Sequence, residues 1–204
     1  MAKIRPKNNF KVRAFKEKVL ILCEGKTEEN YFNALKEDIG LPKSFSVKIF
    51  QSDKTDCRGI VNDAIKKSKN ENIEKLIVVF DHDNQAFRRE AFELAFKKNI
   101  TIYFSSICFE VWYYYHYKDS ARAFNSQAEL ETELKKCAGL ENYNKTDFKH
   151  YSILKSRLEL AKKHSKSIRD AVIENNYGVS LCDLNPYTNI DELIEYLEKQ
   201  KSKS

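Results

Sequence analysis

Short runs of branched apolar residues alternate with amphipathic helical patterns through the first half of the chain. Residues 18–23, 45–50, 75–81 and 100–105 are typical of buried strands. Strands that are separated by helices of about a dozen residues join through right-handed crossovers into a parallel sheet. Parallel strands are buried on both faces, which explains why these runs are almost continuously apolar. The pattern predicts an α/β fold with a parallel sheet of about four strands flanked by helices.

The segments between these strands carry helix signals of their own. Thr27 is placed to cap a helix that runs to about Ile39, and Asp56 is placed to cap a helix over 58–69. A third helix is predicted over 85–98. Its apolar stripe would consist of Phe87, Ala91, Leu94 and Ala95.

The second half of the chain is predicted to be mostly helical. Its helical patterns cover residues 109–118, 126–137, 152–164, 167–175 and 189–199. The segment 185–188 (NPYT) indicates a turn in which Thr188 caps the last helix. The aromatic run 109–117 has the spacing of a buried helical stripe, with the stacking of nucleic-acid bases as the alternative.

Positive charge is concentrated at the N-terminus. The chain has 204 residues and a formal net charge of +6, and its first 18 residues hold seven Lys and Arg against one Glu. The remainder is therefore neutral. An arm of this kind suits nucleic-acid phosphates, whereas a solvated terminus is the alternative. The residues expected to contact nucleic acid are Lys3, Arg5, Lys7, Lys11 and Arg13.

The charge and apolar patterns suggest one domain. Residues 1–17 form a basic arm, residues 18–198 form the domain, and residues 199–204 form a polar tail. Within the domain, an α/β core (18–107) precedes the helical part (108–198). No stretch approaches the roughly 20 apolar residues of a membrane span. The five cysteines are odd in number and form no C-x-x-C pair, which indicates reduced thiols. We therefore expect a cytoplasmic protein without a membrane partner.

Acidic residues follow three of the predicted strands. Glu24 and Glu28 follow the first, Asp81 and Asp83 end the third, and Glu110 follows the fourth. The carboxyl ends of parallel strands share one edge of the sheet, where ligands of α/β proteins bind. All-oxygen ligand sets of this kind suit Mg²⁺ or Mn²⁺. Each motif alone is also compatible with a solvated turn or a helix cap, but their joint occurrence predicts a metal site.

Several segments resemble known families. Residues 19–28 (VLILCEGKTE) and 78–83 (VVFDHD) resemble the TOPRIM fold of primases, topoisomerases and OLD-type nucleases. Over about 18–198 the chain more closely resembles the RloB family, which is associated with bacterial abortive phage resistance. The segments that carry this closer resemblance are 108–112 (CFEVW), Tyr143 with Lys145, and 185–188 (NPYT). At Ser106-Ile107 the chain departs from the family pattern, which has Asn-Pro there.

The resemblance implies a Mg²⁺-dependent nuclease that hydrolyses phosphodiester bonds in DNA or RNA. Glu24 would act as general base or acid, or as a metal ligand. Asp81 and Asp83 would hold the metal, with Glu28 and Glu110 completing its shell or forming a second metal site. The candidates for phosphate contact are Lys26 and Lys145, and His82 is expected to pack in the fold.

A non-catalytic module is the alternative. Such a module would bind metal, nucleic acid or a protein partner, and the resemblance implies an ATPase as one such partner. The chain is too short for a topoisomerase or a primase with its further domains. A haloacid-dehalogenase-type phosphatase would carry D-x-D after the first strand, and a response-regulator receiver would need a fifth strand where the chain becomes helical.

Overall fold

A computed structural model describes residues 17–69, 72–82, 87–145, 147 and 149–202. Several residues that the sequence marks for function lie outside these ranges. They are Lys3, Arg5, Lys7, Lys11 and Arg13 of the arm, and Asp83 of the D-x-D motif.

The four predicted strands form one parallel sheet. They are β1 (Glu17–Cys23), β2 (Phe45–Gln51), β3 (Lys75–Asp81) and β4 (Ile100–Ser106), in the order β2-β1-β3-β4. Residues of β1 and β3 are almost entirely buried, as expected for strands that are covered on both faces. The α/β prediction is therefore confirmed.

The sheet has a fifth strand that the sequence pattern did not predict. β5 (Tyr187–Thr188) pairs antiparallel with β4. Two residues are too few to show an alternating pattern, and tertiary contacts hold this strand. The Ser105 and Thr188 hydroxyls lie 2.9 Å apart and are buried. The last helix, α8 (Ile190–Lys201), has Asn189 at its capping position, but the Asn189 side chain makes no capping hydrogen bond. The Thr188 hydroxyl instead accepts from the Ile190 amide at 3.3 Å, so Thr188 caps the helix as predicted, from one residue before the capping position.

Helices cover the sheet and build the second half of the chain. The helices between the strands are α1 (Lys26–Ile39), α2 (Cys57–Ser68) and α3 (Arg88–Lys97). The later ones are α4 (Glu110–Tyr115), α5 (Gln127–Leu134), α6 (His150–Leu154), α7 (Leu158–Asn175) and α8. The two helices predicted over 152–164 and 167–175 are mostly one, since no Gly or Pro interrupts α7. Helix α8 extends into the predicted polar tail.

Two helix starts show where local signals succeed and fail. Asp56 caps α2 as predicted, and its side chain accepts a hydrogen bond from the Gly59 amide at 2.7 Å. Thr27 does not cap α1, because Gly25, two residues before it, holds the capping position. The Thr27 hydroxyl instead donates to the Lys145 carbonyl at 3.2 Å. A tertiary contact has thus replaced the local one.

The predicted stripe of α3 is partly wrong. Ala91 and Ala95 are buried, but Phe87 precedes the helix in a left-handed conformation (φ 70°) and is 53% exposed. In contrast, the aromatic run around α4 is core, as predicted: Trp112 and Tyr113 are fully buried. Buried rings of this run are not available to stack nucleic-acid bases.

The described helices are at most 18 residues long. Within these helices, no segment is long and apolar enough to cross a bilayer.

Candidate functional site

Acidic side chains meet at the carboxyl edge of the three inner strands. Glu24 follows β1, Asp81 ends β3, and Glu110 begins α4 just beyond β4. Glu28 joins them from the first turn of α1. Because β1, β3 and β4 are neighbours in the sheet, these residues form one group. We call Glu24, Glu28, Asp81 and Glu110 the carboxylate cluster.

Glu24 and Asp81 are joined directly. The Asp81 amide donates a hydrogen bond of 2.9 Å to Glu24 Oε2, and the Glu24 amide donates to the Val79 carbonyl at 2.9 Å. Gly25 follows, and a Cβ atom there would stand only 2.6 Å from Glu28 Oε2. The E-G-x-x-E motif therefore needs its glycine to leave room for the Glu28 carboxylate.

Glu110 is completely buried and is held by two residues from a distant loop. Tyr143 donates its hydroxyl to Glu110 Oε1 at 2.7 Å. Lys145 Nζ lies 3.7 Å from the same oxygen. The Tyr143 ring stacks on His150 with a centroid separation of 4.8 Å, which fixes the ring. The buried carboxylate thus has a defined position.

Burial and neighbouring acids raise the pKa values of Asp81 and Glu28. Burial raises the pKa of Asp81 well above its ordinary value, and the charges of Glu28, Glu110 and Glu24 raise it further. Burial also raises the pKa of Glu28 to about 7, although its own backbone amide opposes this shift. The charge of Glu110 adds to the rise at Glu28, whereas Lys145 lowers the pKa of both Asp81 and Glu28. Negative charge therefore exceeds positive charge in this group.

Two acceptor atoms of the carboxylate cluster have no donor. Glu28 Oε2 and Glu110 Oε2 are buried and accept no hydrogen bond from the described part of the chain. Leaving a buried acceptor unsatisfied costs about 1–3 kcal/mol, and more for a charged group. These oxygens, on hard carboxylate ligands, are what a divalent cation would satisfy. Among the residues in the described ranges, no three Asp, Glu, His or Cys side chains are already arranged as a metal-ligand set.

The structure places the remaining predicted site residues differently. Lys145 reaches the carboxylate cluster, but Lys26 is exposed and pairs with Glu29 on its own helix. His82 is buried, as predicted, and its amide donates to the Ser105 carbonyl at 2.9 Å.

Tyr143 lies in the site, although nothing in its sequence context indicated a role for it. Its ring and hydroxyl are mostly buried, and its contact with Glu110 joins residues 33 positions apart. Its spacing of two from Lys145 was visible in the sequence. Nothing in that spacing indicated a hydrogen bond to Glu110.

A cleft of about 540 Å³ lies elsewhere, between α3 and the segment before β5. Arg89, Phe92, Leu181 and Cys182 are among its lining residues. No member of the carboxylate cluster lines this cleft.

Comparison with known proteins gives one result. The family model described as RloB-like protein matches residues 19–197. No curated protein and no solved structure gives a significant match.

Proposed function

The chain belongs to the RloB-like protein family, and we propose that it is a phosphodiester hydrolase for DNA or RNA that depends on Mg²⁺ or Mn²⁺. The observation that carries this proposal is the pair of buried, unsatisfied oxygens on Glu28 and Glu110, beside acids with raised pKa values. If Glu28 and Glu110 only supported the fold, donors from the chain would be expected to pair with these oxygens. From the family resemblance, we place the activity in bacterial antiphage defence.

The acids of the carboxylate cluster suit a divalent cation. Asp81, Glu28 and Glu110 would hold it, with Asp83 as a further ligand from outside the described residues. When bound, such a cation stabilises charge on phosphate oxygens and lowers the pKa of a water molecule.

Glu24 and Lys145 have the remaining roles. Glu24 is less buried than the other members of the carboxylate cluster, and the Asp81 amide fixes one of its oxygens. In our proposal Glu24 accepts or returns the proton of the reaction. Lys145, whose side chain is 39% exposed, would bind a phosphate oxygen of the substrate.

Metal-dependent cleavage tests this proposal. Supercoiled DNA, single-stranded DNA and tRNA would be incubated with the protein and Mg²⁺, Mn²⁺ or EDTA. We expect cleavage of at least one substrate with metal and none with EDTA. Glu24→Gln should lower turnover by about 10²–10⁴-fold, because the amide keeps the shape but cannot take a proton. Turnover close to wild type in this variant would contradict the role of Glu24.

A non-catalytic module remains the second candidate. The pKa of Glu28 near 7 and the nearby charge of Lys145 reduce the repulsion in the carboxylate cluster without a cation. A module that only binds nucleic acid or a partner such as an ATPase would show binding in EDTA and no cleavage with any metal.

The basic arm has a separate test. Deletion of residues 1–13 should weaken nucleic-acid binding while turnover at saturating substrate is retained. If about four arm cations contact phosphates, the slope of log K against log salt should flatten by roughly 0.9 for each. An unchanged slope would contradict an arm that binds nucleic acid.

A further inference from the structure

We infer that Lys145 is a built-in counter-cation of the carboxylate cluster, which competes with the divalent metal ion and is released when the ion binds. This inference rests on the proposed metal-dependent function and adds a residue of the chain that would limit metal binding. It gives Lys145 two successive partners, first Glu110 and then the phosphate of the substrate.

The position of Lys145 is the first argument. Its Nζ lies 3.7 Å from Glu110 Oε1, and Glu110 is completely buried. Since the second oxygen of Glu110 has no donor among the described residues, Lys145 compensates Glu110 only in part. The charge of Glu110 could therefore still be stabilised further by a second cation.

The charge of Lys145 also affects the other acids of the carboxylate cluster. Lys145 lowers the pKa of Glu28 and Asp81 as well as facing Glu110. The charge of Lys145 thus acts on all three acids that we propose as metal ligands.

The backbone of Lys145 is held in place, whereas its side chain is partly exposed. Its backbone carbonyl accepts the Thr27 hydroxyl at 3.2 Å, and two residues before it Tyr143 is bonded to Glu110. The backbone is therefore held at Lys145 and two residues before it. The side chain is 39% exposed, and a lysine stem is flexible, so the ammonium group can leave without moving the loop.

Competition follows from these charges. Like charges only a few ångströms apart repel by a few kcal/mol even at the effective dielectric of a protein surface. A divalent cation among Asp81, Glu28 and Glu110 would repel the Lys145 ammonium group toward solvent, where the phosphate of a substrate would meet it. Removal of the lysine charge should therefore tighten metal binding, although the same change should slow cleavage.

Calorimetric titration with Mn²⁺, in the absence of nucleic acid, tests this inference on the full chain. Lys145→Met keeps the length of the side chain without its charge, and Lys145→Gln is a second variant in case the first folds poorly. Both should bind Mn²⁺ on the order of tenfold more tightly than wild type. Lys145→Arg should bind like wild type. Lys26→Met, an exposed lysine at the start of α1 that pairs with Glu29, is the matched control and should also bind like wild type.

The outcomes separate this inference from the function on which it rests. If wild type binds Mn²⁺ and neither uncharged variant binds it more tightly, competition by Lys145 is overturned and the metal-dependent function stands. If only the uncharged variants bind Mn²⁺, Lys145 replaces the ion altogether, which supports the inference and contradicts metal dependence of the wild type. Absence of binding in all variants would overturn both.

Discussion

Within the described ranges, buried carboxylates lie in two places that differ in how their charge is compensated. Near the end of the chain, Asp191 is buried against Arg169, with one hydrogen bond of 2.9 Å between Nη2 and Oδ2 and another between Nη1 and Oδ1. The Ser165 hydroxyl also donates to Asp191 at 2.7 Å, and Arg169 donates to the Thr188 carbonyl at 3.0 Å. This group joins α7, β5 and the start of α8. Both oxygens of Asp191 have donors.

The carboxylate cluster is the opposite case. It contains several acids for one nearby lysine, and Glu28 and Glu110 each keep a buried oxygen without a donor in the described residues. A buried acid that is paired by the chain stabilises one packing of helices and strands. A buried acid that is not fully paired is instead stabilised by binding a ligand of opposite charge. The comparison therefore separates the buried charge that is compensated within the fold from the charges that we propose to bind a cation.

The largest expected effect is on the compensated pair. Asp191→Asn leaves the buried Arg169 with a neutral partner, and only the half-exposed Glu192 remains close, at 3.1 Å. We expect a loss of about 3–5 kcal/mol in the free energy of unfolding, as for other broken buried pairs. Urea denaturation in EDTA would measure it. An equal loss for Asp81→Asn would remove the distinction between the two regions.

The next effect is on the pH dependence of stability. The pKa of Glu28 is 4.5 in its ordinary state and about 7 in the fold. Between these values the folded protein binds more protons than the unfolded chain, so stability in EDTA should fall as pH rises from about 4.5 to 7 and then level off. The total is about 3 kcal/mol for a shift of this size. Glu28→Gln should flatten this part of the profile, and Glu29→Gln should not.

Metal should stabilise the protein through the carboxylate cluster. At a concentration a hundred times its dissociation constant, Mg²⁺ or Mn²⁺ contributes about 2.7 kcal/mol to the free energy of unfolding. Asp81→Asn should lose most of this gain because an amide is a poorer ligand for a hard cation. In EDTA the same variant should be no less stable than wild type, since it relieves repulsion. A thermal-shift titration of both proteins measures this, and a full metal response in Asp81→Asn would place the ion elsewhere.

The smallest effects come from removal of one hydroxyl in each region. Ser165→Ala and Tyr143→Phe each delete a donor to a buried carboxylate, Asp191 and Glu110 respectively. Each should cost about 1.5 kcal/mol in EDTA. Only Tyr143→Phe should also weaken Mn²⁺ binding, by about tenfold, because it no longer orients Glu110. Equal Mn²⁺ affinity in the two variants would show that Tyr143 supports the fold alone.

Local signals in the sequence predicted the parts that depend on neighbours along the chain. The apolar runs of β1 and β3 and the cap at Asp56 were all confirmed. Predictions failed where a distant residue decided the outcome. Thr27 donates to the Lys145 carbonyl instead of capping α1.

The same distinction between local and distant contacts applies to the candidate site. The sequence by itself determined which acids follow which strands, since strand periodicity and the shared edge of a parallel sheet require only local information. Only the tertiary structure decided that Lys145 faces Glu110 whereas Lys26 does not, and that Tyr143 completes the site. These contacts join segments more than thirty residues apart, and their energies depend on burial and on nearby charge. Both quantities arise only when the chain has packed.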